Sequence, residues 1–318
     1  MGHGFGSPKR PSWHLSSTTA LTAIGLGLVA VPLAAHATPT VSATVQYSVA
    51  GGPTTVVPSP ASPPADISQI AGDGTNSVFY HVYSYPNGIN GSRSSGVNTF
   101  TISGTADYTD TVTNTGSTSA MYFFNFEIDA GQLGVSIDPT AAGTQSAALS
   151  AIVKVNGGTV FDYESSMTLA SAVATPVFTE SGAVLNPAGP TLVPGDGSYF
   201  WSPYDGSIDL GTLAPGQSVT VDYALISQAA GTMTDTGTCS AGYGGDGVFA
   251  AATVIGGGGG RACNSSAIAR IGDPFGAGGT PTNAPDPFGI STPEPASTAL
   301  LGIGLAGLAF ASRRRLVT

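Results

Sequence analysis

Side chains that carry out catalysis are scarce in this 318-residue chain. Only one histidine, His81, follows the first 37 residues, and the chain has two cysteines, Cys239 and Cys263. Zinc sites need clusters of histidine or cysteine, and the sequence has none. No Gly-x-Ser-x-Gly sequence occurs, and the glycine run from Gly256 to Gly260 lacks the Lys-Ser/Thr that completes a phosphate-binding loop. The composition predicts a protein that is not an enzyme and has no cofactor or metal.

Charged residues are also few, at 9% of the chain, and most are acidic. All 19 acidic residues follow Thr38. Once both ends are set aside, the basic residues are Arg93, Lys154, Arg261 and Arg270. With all 19 acidic residues counted against these four basic ones, the net charge is about −15, which repels nucleic acid and anionic lipid. Such a surface can bind cations or stay soluble in a hydrated matrix.

A sustained helical stripe of apolar residues is absent between the two ends, and period-two alternation takes its place. It is clearest at Ser218–Ile226, where Val219, Val221, Tyr223 and Leu225 are expected to face the core. The predicted strands are Val41–Val49, Ser77–Tyr85, Val97–Thr113, Ala120–Asp129, Ala148–Val155, Thr159–Tyr163, Met167–Val173, Tyr199–Trp201 and Ser218–Ile226. Short strands joined by Gly, Pro and Asn turns predict an antiparallel β-sandwich over residues 38–255, either immunoglobulin-like or jelly-roll-like.

Several loop and turn signals interrupt these strands. Five prolines between Pro53 and Pro64 predict an extended surface loop, and the dipeptides at Asn87 and Asn90, each followed by glycine, predict turns. Gly104, inside a predicted strand, is expected to mark a bulge or bend.

Two segments, Asp107–Ser117 and Leu210–Tyr223, resemble bacterial immunoglobulin-like surface modules. In those modules an aliphatic-Ala-Pro-Gly-Gln turn leads into a strand. Pro215 and Gly216 suit the centre of a type II turn, because proline fixes φ at the first central position and glycine accepts the positive φ at the second.

The N-terminal end has the layout of a removable signal peptide, assigned to residues 1–37. Lys9 and Arg10 precede an apolar segment from Leu21 to Leu33, and Ala35–Ala37 supplies an Ala-x-Ala cleavage site. The apolar segment is too short to span a membrane comfortably, so the sequence predicts export.

The C-terminal end, residues 292–318, agrees with that topology. Pro293, Glu294 and Pro295 end ordered structure, and the uncharged stretch Ala296–Ser312 would reach about 25 Å as a helix. The basic residues that follow are Arg313, Arg314 and Arg315, which suit a cytoplasmic membrane face. The sequence predicts a transmembrane helix with the rest of the chain outside the cell.

These C-terminal residues resemble the PEP-CTERM sorting signal of Gram-negative bacteria. The resemblance implies that an exosortase is a partner, which removes the tail near Pro293–Pro295 after a transient stay in the inner membrane. It also implies delivery to a cell surface or matrix rich in exopolysaccharide. The alternative is a plain C-terminal membrane anchor.

Residues 256–291, rich in Gly and Pro, predict a spacer between domain and anchor that cannot build a core. Within them Asp273–Gly276 recurs as Asp286–Gly289. Cys239 and Cys263 are expected to form a disulfide after export, which a chain-entropy model values at about 3–4 kcal/mol.

Glu127 and Asp129 are the main candidates for catalytic or metal-binding carboxylates. They share one face of the predicted strand, because residues i and i+2 of a strand point the same way. The string resembles the Glu-x-Asp-x-x-Glu motif of laminarinase-like glycoside hydrolases, but Gln132 replaces the acid/base. The open alternatives are glycoside hydrolysis, a calcium site and a solvated strand end. Asp73 is a second possible calcium ligand, for which a solvated loop side chain is the alternative.

Two functional hypotheses for the domain follow. The first is a non-catalytic surface or matrix protein associated with exopolysaccharide. The second is a lectin-like module that binds carbohydrate or calcium, for which exposed aromatic rings at Tyr199, Phe200, Trp201 and Tyr204 would be the sign. Buried rings there would instead belong to the core.

Overall fold

All regular structure in the described part of the chain is β-strand. The computed structural model describes residues 34–73, 75–235, 265–272 and 288–291, and none of these residues is helical. The strands are, in chain order, β1 (Ala34–His36), β2 (Thr40–Val49), β3 (Thr55–Val57), β4 (Ala65–Gly72), β5 (Ser77–Ser84), β6 (Asn90–Val97), β7 (Phe100–Asn114), β8 (Ala120–Ile128), β9 (Gly131–Ser136), β10 (Ala142–Val155), β11 (Gly158–Leu169), β12 (Val177–Gly182), β13 (Thr191–Val193), β14 (Asp196–Trp201), β15 (Tyr204–Leu213), β16 (Ser218–Asp235), β17 (Ser266–Gly272) and β18 (Phe288–Ser291). The all-β prediction is confirmed.

These strands form three antiparallel sheets. Sheet A has the order β12-β11-β10-β16-β7-β2-β3, and β1 also pairs with β7. Sheet B has the order β13-β14-β9-β17-β6-β5-β4, and sheet C has the order β15-β8-β18.

Sheet A forms one layer of a sandwich, and sheets B and C together form the other. Ser227 of β16 in sheet A lies with its Oγ 2.7 Å from Ser92 Oγ of β6 in sheet B. The ring of Tyr223, also in β16, lies 6.2 Å from that of Phe124 in β8 of sheet C. The architecture is therefore the predicted antiparallel β-sandwich.

The alternations predicted in β7 and β16 are confirmed. Along β7 every second residue from Phe100 to Asn114 is buried, and in β16 the four residues expected to face the core are each no more than 3% exposed. Because side chains alternate between the faces of a strand, Thr and Ser at the intervening positions face outward. Burial of one apolar face fixes the register, since a slip of one residue would turn that face to water.

The predicted type II turn is also present. The amide of Gln217 donates to the carbonyl of Ala214 over 2.9 Å, and Gly216 has a φ of 78°. The side chain of Asn114 donates to the carbonyl of Leu213, which ties this turn to the end of β7.

Three local predictions are wrong. Asn90 and Gly91 do not form a turn but begin β6, in which Ser92 and Ser94 each hydrogen-bond Ser227 in the core. Gly104 is not at a bulge, because the pairing of β7 is continuous there; a Cβ would lie 2.6 Å from Val82, so glycine permits close packing of the sheets. The strands predicted at Thr159–Tyr163 and Met167–Val173 are mostly one strand, β11.

The inference that residues 256–291 cannot contribute to a core is wrong for Ser266–Gly272. These residues form β17, which lies between β9 and β6 in the middle of sheet B. Ala267, Ala269 and Ile271 are fully buried there, and their side chains fill the space under sheet A. The four residues of β18 also pair with β8.

The chain ends remain predictions. Three residues of the predicted signal peptide form β1, and cleavage after Ala37 would remove that short strand. The described residues contain no helix that is long and apolar enough to cross a membrane. The predicted C-terminal helix, the sorting residues and both cysteines lie outside the described residues.

Candidate functional site

Trp201, a predicted ligand-contacting residue, belongs to the hydrophobic core. It is 4% exposed, and its ring lies 5.7 Å from Tyr199 and 6.2 Å from Tyr163. Its indole Nε1 donates to the carbonyl oxygen of Asp129 over 2.8 Å. Phe200, on the opposite face of β14, is 42% exposed. Of the two alternatives for this cluster, burial of Tyr199 and Trp201 agrees with the core and not with a solvent-facing platform.

Asp129 is buried next to Trp201. Its side chain is 7% exposed, and its Oδ1 accepts a hydrogen bond from the amide of Ala130. Two residues later, Gly131 lies opposite Trp201 across the β9–β14 pair, and a Cβ on Gly131 would clash with the indole ring. The turn from β8 to β9 thus wraps closely around the indole. The prediction that Asp129 lies at a solvated strand end is wrong.

Glu127 is the exposed member of the predicted carboxylate pair. Pairing of β8 with β15 places Asp205 directly opposite Glu127. Partial burial, followed by the negative charges of Asp129 and Asp205, raises the pKa of Glu127 above its usual range. Three carboxylates thus lie near the end of sheet C, but only Glu127 and Asp205 are exposed there.

Asp73, the other suggested calcium ligand, organises its own loop. Its Oδ1 accepts hydrogen bonds from the amides of Asn76 and Thr75, at 2.7 Å and 3.0 Å. These bonds, that of Asn76 first, lower the pKa of Asp73. Across the part of the chain that the structure describes, no three His, Cys, Asp or Glu side chains are grouped so that they could hold a metal ion.

His81 lies on the outer face of sheet B, beside polar and aromatic side chains. Its Nε2 is 3.1 Å from Asp66 Oδ1, and its ring lies 5.0 Å from Tyr83. Asp66 also accepts a hydrogen bond from the Tyr85 hydroxyl. Of the His81 side chain, 29% is exposed.

A depression of about 360 Å³ crosses the outer face of sheet A. Its central row runs over five strands, and the pairing aligns Gln46, Ser103, Gln228, Ala148 and Ser166. Thr101, Ser146 and Thr168 lie beside that row. Its lining, as far as the described residues form it, contains hydroxyl and amide groups but no charged side chain. No sequence pattern pointed to this surface, because its residues come from distant segments.

The comparisons with known proteins assign the C-terminal segment. Residues 291–315 match the PEP-CTERM protein-sorting motif. No curated protein and no solved structure matches the chain. The motif match confirms the resemblance at Pro293, Glu294, Pro295 and the following arginines. It supports a protein that is exported through a membrane-associated step and addressed to an exosortase.

Proposed function

We propose that this chain is a non-catalytic cell-surface or extracellular-matrix protein whose β-sandwich associates with exopolysaccharide after exosortase processing. The observation that carries the proposal is the sorting motif at residues 291–315, which follows a domain built entirely of β-strands in its described part. Processing near Glu294 would release the domain from the inner membrane or transfer it to the surface.

The burial and packing of the candidate catalytic residues support the non-catalytic part of the proposal. Trp201 and Asp129 are used in packing, and the third position of the hydrolase-like motif, Gln132, is 8% exposed on β9. Glycosidic hydrolysis needs an acid and a base or nucleophile at a set separation. Glu127 and Asp205 are the pair to test, because they face each other on an exposed sheet surface.

The test is to incubate the mature exported protein with β-glucans, galactans and the producer's own exopolysaccharide. We expect co-sedimentation with the exopolysaccharide and no new reducing ends. Reducing ends that wild type generates but Glu127→Gln does not would overturn the non-catalytic proposal. Failure to sediment with any polysaccharide would overturn the association.

A second candidate function is the binding of a neutral saccharide in the depression of sheet A. It is favoured by the hydroxyl and amide side chains there, which match the donors and acceptors of sugar hydroxyls. Gln228→Ala, in the central row, should weaken binding on a glycan array. Glu164→Ala, an exposed change on β11 outside the lining, is the control. Equal binding by the two variants would contradict this second function.

A further inference from the structure

The outer face of sheet B carries a straight row of six side chains, one from each of six neighbouring strands. Cross-strand pairing aligns them in the order Ser68, His81, Arg93, Arg270, Gln132 and Phe200. With neighbouring strands about 4.8 Å apart, the row spans about 24 Å. Its direction is perpendicular to the strands, and Gln132, at 8% exposure, is its buried member.

Residues on either side of the row show that it faces away from sheet A. Ser92 and Ser94, which flank Arg93, both bond to Ser227 in the core. Ala269 and Ile271, which flank Arg270, are fully buried. Alternation along the strands therefore directs both arginines outward.

The centre of the row joins two of the few positive charges in an acidic protein. Arg93 and Arg270 are direct partners across the β6–β17 pair. Like charges in directly opposite positions destabilise a sheet. Burial first, and then the charge of Arg270, lowers the pKa of Arg93 to about 10. Burial also lowers the pKa of Arg270, although Tyr83 and Asp129 oppose that effect.

Arg93 has no acidic partner among the described residues. Its guanidinium instead lies 4.5 Å from the centroid of the Phe79 ring, which holds the planar group without neutralising it. Within the described part of the chain, its buried Nε has no hydrogen-bond acceptor, and neither has the buried Nε2 of Gln132 on the other side of Arg270. Both are donors, and buried donors without an acceptor carry a free-energy cost.

These features together suit a ligand that is negatively charged and rich in hydrogen-bond acceptors. A carboxylate suits an arginine because its two oxygens match the planar guanidinium and accept two parallel hydrogen bonds. Phe200, 42% exposed at one end of the row, offers an apolar surface on which a sugar ring could pack.

We propose that this row binds a carboxylated polysaccharide, with Arg93 and Arg270 holding a uronate-type carboxylate. The proposal rests on the association with exopolysaccharide proposed above and names the chemical class of the polysaccharide. Asp66 lies beside the row, with its Oδ1 3.1 Å from His81 Nε2, and His81 is the cross-strand neighbour of Arg93.

The acidic charge of the whole protein does not prevent this contact. At about 0.1 M ionic strength the Debye length is about 10 Å, so distant carboxylates are largely screened while the adjacent arginines act directly. Binding should consequently weaken as salt is added, because the contact is electrostatic.

The test measures binding of the mature exported protein to polygalacturonate and to the same polymer after its carboxyl groups have been reduced. Wild type should prefer the carboxylated polymer by about tenfold or more, the ratio expected from hydrogen bonds to a charged group. Arg93→Gln should remove that preference. Lys154→Gln, which removes one exposed positive charge from sheet A, is the matched control and should keep it.

Further measurements separate the possible outcomes. Arg93→Gln should melt no lower than wild type, because it removes a buried charge that repels Arg270. Arg93→Lys keeps the charge but not the planar group, so it should bind the carboxylated polymer with intermediate strength. It replaces Arg93→Gln as the test variant if Arg93→Gln folds poorly.

Equal binding of the two polymers by wild type would overturn the arginine site while leaving the polysaccharide association in place. No binding to polygalacturonate, to its reduced form or to the producer's exopolysaccharide would overturn both proposals. Competition by free acetate at the same carboxylate concentration would show that the site binds simple anions, which contradicts a polysaccharide site.

Discussion

The assignment of Trp201 to the core makes a quantitative prediction for Trp201→Phe. The change removes the indole donor, so the buried carbonyl of Asp129 loses its 2.8 Å hydrogen bond. An unsatisfied buried acceptor costs about 1–3 kcal/mol, and the smaller ring also leaves part of the space against Tyr163 and Tyr199 unfilled. We expect a total loss of about 2–4 kcal/mol, which corresponds to a decrease of about 4–16 °C in melting temperature for a domain of this size.

Urea denaturation followed by far-ultraviolet circular dichroism measures this loss without using the altered tryptophan as the probe. Phe200→Leu is the control, because Phe200 is the exposed neighbour on the same strand and its replacement should cost less than about 0.5 kcal/mol. Equal stability of Trp201→Phe and wild type, combined with loss of saccharide binding, would refute the core assignment in favour of a ligand platform.

Two further predictions concern pH and redox state. Burial raises the pKa of Asp107, an effect that the hydroxyl of Ser42 opposes, so the folded state holds this proton more tightly than the unfolded state does. The stabilising contribution of the protonated Asp107 is then lost as pH rises through the folded pKa. In urea titrations, Asp107→Asn should therefore gain stability relative to wild type between pH 3 and pH 7. A gain that does not change with pH would contradict this. Non-reducing mass analysis of the exported protein should show Cys239 bonded to Cys263, whereas two alkylatable thiols would rule the disulfide out.

The strands that the sequence predicted well are those in which one face is apolar and the other polar. β7, β8 and β16 all alternate over long stretches, so that period two is visible without knowledge of their partners. Local turn chemistry was equally readable at Pro215 and Gly216, because φ preferences act within a few residues.

The strands that the sequence missed are buried for reasons that only the tertiary structure supplies. β6 is rich in serine and glycine, and its serines become satisfied through Ser227 in the opposite sheet. β17 has small residues and lies in a Gly-rich region, yet it completes the middle of sheet B. Composition alone cannot show that such a segment is enclosed on both sides by other strands.

The sorting signal and the arginine pair also differ in whether the sequence alone reveals them. The sorting signal is a continuous sequence and could be identified from Pro293, Glu294 and Pro295 alone. The proximity of Arg93 and Arg270 depends on the pairing of β6 with β17, which joins segments far apart in the chain. In the sequence these two arginines are therefore isolated charges, and nothing in it predicts that they lie together.

Processing at the C-terminal motif is the most direct test of the central claim that this chain is an exported substrate of an exosortase. The measurement is the intact mass of protein carrying an internal tag, recovered from the membrane and exported fractions of a host with the matching exosortase. Wild type should lose its hydrophobic tail and leave the membrane, while Glu294→Ala should remain full-length in the membrane. Glu164→Ala, at an exposed position on β11, should behave as wild type. Equal processing of Glu294→Ala and wild type would contradict the claim.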